Sequence, residues 1–173
     1  MAGGAESAAP ATVEAQTLRG GLYLLAGAGG NVIAWHGSDG LLVVDTGSAA
    51  AETPLLEALA RLSGSPVRVV VNTHWHPEHG GGNAALRRGG AHIVAHDATR
   101  ARMAARQVMS ASELEVPAAP REALPVATFD DTMTLYMNGA RLLLEKELIA
   151  ARTSFVPDVR KYAPVSRWAA FSW

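Results

Sequence analysis

Short apolar runs alternate with segments of helical periodicity along the chain. Residues 22–25, 31–35 and 41–44 predict three neighbouring strands, and the polar stretch 38–40 predicts a turn between the last two. The leucine spacing in residues 52–62 is typical of an amphipathic helix, which a Gly-Ser-Pro sequence then ends. Further strands and short helices are predicted over residues 67–71, 83–88, 91–95, 124–129, 132–136 and 141–144.

Two other local signals complete this α/β pattern. Asp97 or Thr99 is predicted to cap a helix that runs to about Met109. Asn138-Gly139 is a strong hairpin signal, since both residues tolerate the left-handed backbone of a tight turn.

Composition limits the function classes. A chain of 173 residues, 49% of them hydrophobic, is long enough for one domain with its own core. A net charge of -1 gives no electrostatic case for nucleic acid or a membrane surface, and no apolar run approaches the ~20 residues of a membrane span. The absence of cysteine excludes disulfides and thiolate ligands. Residues 1–16 read as a flexible tail without a secretory signal, so a cytoplasmic location is the default expectation.

The most informative stretch, residues 72–83, concentrates histidines at the end of a predicted strand. His74 and His76 alternate there, and such alternation points two imidazoles to one side of a strand. Pro77 suits the first position of a new helix, so Glu78 and His79 would open that helix. Four potential ligands thus converge, and imidazole with carboxylate suits zinc or another divalent ion such as iron or manganese. A polar loop that is merely rich in histidine is the alternative.

This stretch resembles the His-x-His-x-Asp-His motif of the metallo-β-lactamase fold family, with Glu78 in place of the usual Asp. Asp45-Thr46-Gly47, after an apolar strand, is similar to the Asp-Thr-Gly turn of that family, and residues 29–33 and 93–96 are similar to two of its strands. The resemblance covers approximately residues 17–144. It implies an αββα sandwich of the α/β class, of which this chain would hold the first half.

The resemblance also implies roles for individual residues. His74 and His76 would hold one metal ion, Glu78 and His79 would hold a second, and zinc is the expected metal. Asp45 would orient a ligand histidine from behind. The implied reaction is attack of a metal-bound hydroxide on an ester, amide or thioester carbonyl of a small-molecule substrate, with Glu78 as a catalytic group that orients the hydroxide or binds the second metal.

The ligand set predicted in this way is incomplete. No histidine follows His96, and nothing after Gly139 resembles the family's later ligand segment. Each metal would have two protein ligands, whereas a catalytic zinc ion normally has three and a water. Whether the chain is an active enzyme is therefore left open.

The last part of the chain changes character. Half of the aromatic residues lie in the final 19 residues, without a period of 3.6 or 2. We therefore divide the chain into a tail (1–16), the N-terminal half of a metallo-β-lactamase-like domain (17–144) and a divergent segment (145–173). A truncated or frameshifted reading frame is favoured over a short variant whose segment covers the open face or binds a partner.

A non-catalytic protein is the rival hypothesis. A half sandwich would leave apolar sheet surface uncovered, and such a surface tends to recruit another chain. A metal-binding or protein-interaction module that self-associates through this face is the function that would follow.

Overall fold

The predicted strands assemble mainly into one seven-stranded sheet. The computed structural model describes residues 12–109, 114–147 and 167–171. The strands of the large sheet are β1 (Glu14–Arg19), β2 (Leu22–Ala26), β3 (Val32–Gly37), β4 (Gly40–Val44), β5 (Val67–Asn72), β6 (His92–His96) and β9 (Ala127–Phe129). The helices are α1 (Glu52–Leu62), α2 (Pro77–Gly80), α3 (Asn83–Arg88) and α4 (Asp97–Met103), with short 3₁₀ turns at Ala49–Ala51 and Arg121–Ala123.

The direction of the strands places the candidate ligands at one edge. The sheet is antiparallel from β1 to β4 and parallel from β4 through β5 and β6 to β9. Because the carboxyl ends of parallel strands meet at one edge, Asp45 after β4, the loop after β5 and His96 at the end of β6 come together there.

Two smaller sheets complete the described fold. Strands β10 (Thr132–Met137) and β11 (Ala140–Glu147) form the antiparallel hairpin predicted from Asn138-Gly139, and β12 (Arg167–Phe171) pairs in parallel with β11. Strands β7 (Gln107–Met109) and β8 (Leu114–Val116) form a separate antiparallel pair.

Both faces of the large sheet carry packed apolar side chains. On one face, Leu55 and Leu59 of α1 and Leu86 of α3 pack in a cluster with strand residues such as Val43 and Ile93. On the other face, the β10–β11 hairpin covers the sheet. The buried members of this second cluster are Leu42, Val71, Val94, Phe129, Met137, Leu142 and Leu144. The hairpin thus supplies cover on the face that the helices leave, a role that the sequence analysis did not assign to it.

A pair of turns fastens the hairpin to the large sheet. The backbone N–H of Asp39, in the β3–β4 turn, donates to Oδ1 of Asn138 at 2.9 Å, and the backbone N–H of Asn138 donates to the Asp39 carboxylate. The Asn138 amide also donates to the carbonyl of Gly40 at 3.2 Å. We call this set of hydrogen bonds the turn clamp.

Several elements differ from their predicted bounds. The mostly exposed strand β1 begins at Glu14, inside the segment predicted as a tail, because its pairing with β2 supplies order that its polar sequence does not indicate. The helix predicted to reach about Met109 ends at Met103, whose carbonyl accepts from Ala119, and Met109 lies in β7 instead.

Other bounds are confirmed, notably those of α1 and α3. The predictions made for residues 1–11 and 148–166 lie outside the described residues. Where the structure describes the chain, no helix combines the length and apolarity needed to cross a membrane.

Candidate metal centre

The loop after β5, residues 73–82, is built by a change from strand to helix within a few residues. We call it the histidine loop. β5 ends at Asn72, and His76 is still extended (φ -62°, ψ 147°) because the following proline disfavours the helical region. Pro77 then takes the first position of α2, as predicted, and the His79 N–H closes the turn onto the carbonyl of His76 at 3.0 Å.

This chain path gathers three imidazoles. The ring centroids of His74 and His79 are 4.0 Å apart, and those of His74 and His76 are 4.7 Å apart. His74 is only 5% exposed, whereas the other two rings are more accessible. The structure therefore brings together the three histidines that the sequence singled out, with Glu78 beside them: its Oε1 lies 3.7 Å from Nδ1 of His76.

A buried carboxylate organises two of the rings. Oδ2 of Asp45 accepts from Nδ1–H of His79 at 2.7 Å and from the Thr73 hydroxyl at 2.7 Å. Because that hydroxyl gives its one proton to Asp45, its oxygen is left to accept from Nδ1–H of His74, 3.0 Å away. Both histidines thereby keep Nε2 as the nitrogen with a free lone pair, which is the form that binds a metal.

Asp45 holds this position in an unusual backbone conformation. Its φ is 59°, and its side chain is almost fully buried. Asp is one of the few residues other than Gly that adopts the left-handed region at modest cost. The Thr73 N–H donates to Oδ1 of Asp45 at 2.8 Å, so the carboxylate also ties the start of the histidine loop to the end of β4.

The pKa values follow from this arrangement. Burial, followed by the charges of His79 and His76, lowers the pKa of His74 to about 3. Burial lowers the pKa of His76 as well, against the opposing charge of Glu78. Burial also acts to lower the pKa of His79, but its hydrogen bond to Asp45 and the charges of Asp45 and Glu78 outweigh that effect and raise it. His74 is therefore neutral, and able to bind a metal, at physiological pH.

A buried amide network beneath the histidine loop was not predicted. Asn72 and Asn83 bond to each other through both amide groups, at 2.7 and 3.1 Å, and Asn83 also accepts from Thr46 at 3.0 Å. The carbonyl of His79 accepts from the backbone N–H of Thr46 and from the Asn72 amide. The usable signal was an Asn directly after an apolar strand and another directly after three glycines.

The glycine run allows the histidine loop to pass very close to another segment. The N–H of Gly81 donates to the carbonyl of Gly47 at 2.8 Å. A Cβ atom on Gly81 would lie 2.1 Å from the backbone nitrogen of Ala49, which no side chain permits. Close backbone approach, one of the two interpretations that the sequence left equal, is thus what the structure shows at this glycine.

A family comparison decides the class of the protein. The model of the metallo-beta-lactamase superfamily matches residues 25–145, which is most of the described fold. The chain belongs to the metallo-beta-lactamase superfamily. This confirms the resemblance stated from the histidine motif and the fold class predicted with it. Comparison with the curated proteins gave no match.

Solved structures of the superfamily share the fold at low sequence identity. A Cronobacter sakazakii metallo-beta-lactamase with a HARLDQ motif is 16% identical (TM-score 0.65), over 80% of this chain and 64% of its own. A subclass B3 enzyme described as the first with an active site glutamic acid is 24% identical (TM-score 0.63), over 76% of this chain and 51% of its own. The Bradyrhizobium japonicum B3 enzyme is 18% identical (TM-score 0.58), over 79% of this chain and 63% of its own. This chain thus spans about half to two thirds of their length.

The remaining histidines take no part in the cluster. Nδ1 of His96 accepts from the Ala98 N–H at 3.0 Å and Nε2 lies 2.8 Å from the carbonyl oxygen of Asp130, so His96 is the cap of α4. The cap role preferred for His96 is confirmed, and it displaces Asp97 and Thr99 from the role predicted for them. His92 is exposed at the start of β6, where it cannot reach the histidine loop.

The donor chemistry of the site suits a superfamily metal ion better than its arrangement does. Neutral imidazoles and a carboxylate are ligands for zinc and similar ions. Within residues 12–109, 114–147 and 167–171, however, no group of three or more His, Asp or Glu side chains is arranged to hold a metal ion. The ligands are gathered at one edge of the sheet without forming a three-ligand set around one point.

Proposed function

We propose that this chain carries the first part of the metal site of a metallo-β-lactamase-type hydrolase. The observation that carries the proposal is the cluster of His74, His76 and His79 at the sheet edge, two of whose rings are oriented by Asp45. A loop that is merely rich in histidine has no reason to bury a carboxylate beneath one imidazole and a carboxylate-bound hydroxyl beneath another.

In this proposal His74 and His76 hold one zinc ion, and Glu78 and His79 contribute to a second. A bound zinc ion would supply an acidic water and polarise a carbonyl, which is the chemistry of ester, amide or thioester hydrolysis. Asp45 and Thr73 set which nitrogen each ring presents, and burial keeps His74 unprotonated. Glutamate is compatible with an active site on this fold, since one matched B3 enzyme is described as having one.

Two ligands for each ion hold a metal weakly, because catalytic zinc normally has three from the protein. We therefore expect the chain to bind zinc reversibly, to lose it on dialysis, and to hydrolyse generic esters and β-lactams little faster than background. The chain spans only part of its solved relatives, so the activity of a complete enzyme is part of the proposal.

Titration with Zn²⁺ by calorimetry, and with Co²⁺ by visible absorption, tests the site. The double variant His74→Ala/His76→Ala should lose the binding heat and the cobalt bands. The matched double variant His36→Ala/His92→Ala removes two histidines outside the cluster and should keep both. Equal binding by the two double variants would contradict the site. Two zinc ions retained per wild-type chain after dialysis would contradict the incomplete ligand set.

A further inference from the structure

A cavity of about 220 Å³ opens beside the histidine loop, next to the imidazole cluster. His74 and Trp75 of the loop form one wall, Arg102 of α4 forms another, and Lys146 of β11 closes the far side. His96 and Thr99 complete the lining near the start of α4. The cavity therefore joins the candidate metal centre to two cationic side chains from different elements.

The polar groups of this cavity are donors in need of an acceptor. Nε1–H of Trp75 is buried and has no hydrogen-bond partner, which is rare for a buried donor. Arg102 and Lys146 contribute only N–H groups and two positive charges. Both ring nitrogens of His96 already bond to backbone atoms, so His96 supplies no acceptor. No carboxylate is among the described residues that line the cavity.

We propose that this cavity is a binding subsite for an anionic group, a carboxylate or phosphate, of the substrate. Anionic oxygens would accept from the indole of Trp75 and from the guanidinium of Arg102, whose planar fork matches both kinds of anion. Lys146 would add charge at the mouth. The assignment to a substrate rests on the proposed hydrolase function, whereas the binding of an anion does not.

The position of Arg102 links the subsite to the chemistry. Its positive charge is one of the influences that lower the pKa of His76, so it lies within electrostatic range of the cluster. His74 belongs to both the cavity and the cluster. A substrate anchored here by its anionic group would therefore place a neighbouring carbonyl next to the imidazoles, and the site would select acidic substrates over neutral ones.

The test uses chelator-treated full-length protein, so that metal binding does not enter the result. The probe is the indole Nε1–H signal of Trp75 in ¹H–¹⁵N spectra, assigned with Trp75→Phe. Benzoate and phenyl phosphate distinguish the two anions, and benzamide is the neutral match. We expect one or both anions, but not benzamide, to shift the Trp75 signal in a saturable way.

Charge variants make the assignment specific. Arg102→Gln and Lys146→Gln should each weaken anion binding about tenfold, the effect of losing one charge-assisted hydrogen bond. Arg141→Gln removes an exposed charge from β11 outside the cavity and should bind like the wild type. Arg102→Lys, which keeps the charge, should bind more tightly than Arg102→Gln and guards against a folding defect in the latter.

Three results would overturn the proposal: no shift with either anion, an equal shift with benzamide, or equal anion affinity in Arg102→Gln, Lys146→Gln and Arg141→Gln. The first would mean that solvent alone satisfies the indole. None of these results would affect the zinc titration, and loss of zinc binding would not affect them.

Discussion

His79 donates a hydrogen bond through Nδ1 to Oδ2 of Asp45 at 2.7 Å, across 34 residues of chain. The same oxygen accepts from Thr73, whose hydroxyl lies against His74. One carboxylate therefore determines the orientation of two imidazoles, directly for one and through a hydroxyl for the other. The metal-binding quality of the cluster depends on a residue that does not itself face the metal position.

The first prediction concerns this carboxylate. Asp45→Asn keeps the shape and tolerates the left-handed backbone, but the amide cannot accept two hydrogen bonds at the position of Oδ2 while its nitrogen must donate. We expect zinc affinity to fall roughly 10–100-fold, as for other partners of metal-binding histidines. Calorimetry against Asp97→Asn, an exposed aspartate of α4, is the measurement. Unchanged affinity in Asp45→Asn would show that the rings orient themselves.

The second prediction concerns acid stability of the metal-free protein. The pKa of His74 is about 3 in the folded state against 6.5 in the unfolded chain, so only the unfolded state takes up this proton between those values. Stability is then complete above pH 6.5 and is lost as pH falls toward 3, by on the order of several kcal/mol. The raised pKa of His79 acts in the other direction, because the stability of its pair with Asp45 is lost as pH rises above 6.5 through that pKa.

Urea unfolding of wild type and His74→Gln between pH 3 and 8 measures the effect. The difference in unfolding free energy between the two should shrink, or reverse in favour of His74→Gln, as the pH falls below 6.5. His92→Gln, at an exposed position, should follow the wild-type pH dependence. A constant difference between wild type and His74→Gln across the range would contradict the lowered pKa.

The third prediction concerns the buried amide network. Asn83→Ala would leave the Asn72 amide, the Thr46 hydroxyl and the Ala123 carbonyl without this partner in a region closed to water. We expect a loss of about 2 kcal/mol or more of unfolding free energy. Asn31→Ala, at an exposed position, should change it by about 0.5 kcal/mol or less. Chemical denaturation of the two variants would reveal a network without energetic weight if they matched.

The fourth prediction concerns the close passage of the histidine loop. Gly81→Ala forces backbone against backbone at Ala49, so relief requires movement of the whole loop rather than of one side chain. We expect a loss of about 3 kcal/mol, together with weaker zinc binding. Gly64→Ala has open space around the new methyl group and should melt like the wild type. A wild-type melting temperature for Gly81→Ala would refute the close passage.

Local sequence predicted those parts of the molecule where local chemistry decides the structure. Leucine spacing and a Gly-Ser-Pro stop predicted the bounds of α1, and Pro77 predicted the start of α2. Asp45, interpreted as a group behind a ligand histidine, lies within hydrogen-bonding distance of His79. In these cases neighbours along the chain, or one strand end beside another, carry the information.

The differences lie where distant residues decide. Ala-rich residues after Met103 favour helix, yet the pairing of β7 with β8 and a bond from Ala119 end the helix there. The polar sequence of β1 shows no alternation, and β2 alone gives it order. The network of Asn72 and Asn83 joins residues that any loop could contain, so their meaning appears only once Thr46 is placed beside them.

The turn clamp has a consequence for the order of folding. Asp39 and Asn138 are separated by 99 residues, so their hydrogen bonds close a very long loop. The entropy of that closure must be lost before the contact returns any stability, whereas the β10–β11 hairpin itself can form locally within microseconds. We therefore expect the hairpin to be present early but to dock late, so that the clamp bonds contribute chiefly to the rate of unfolding and little to the rate of folding.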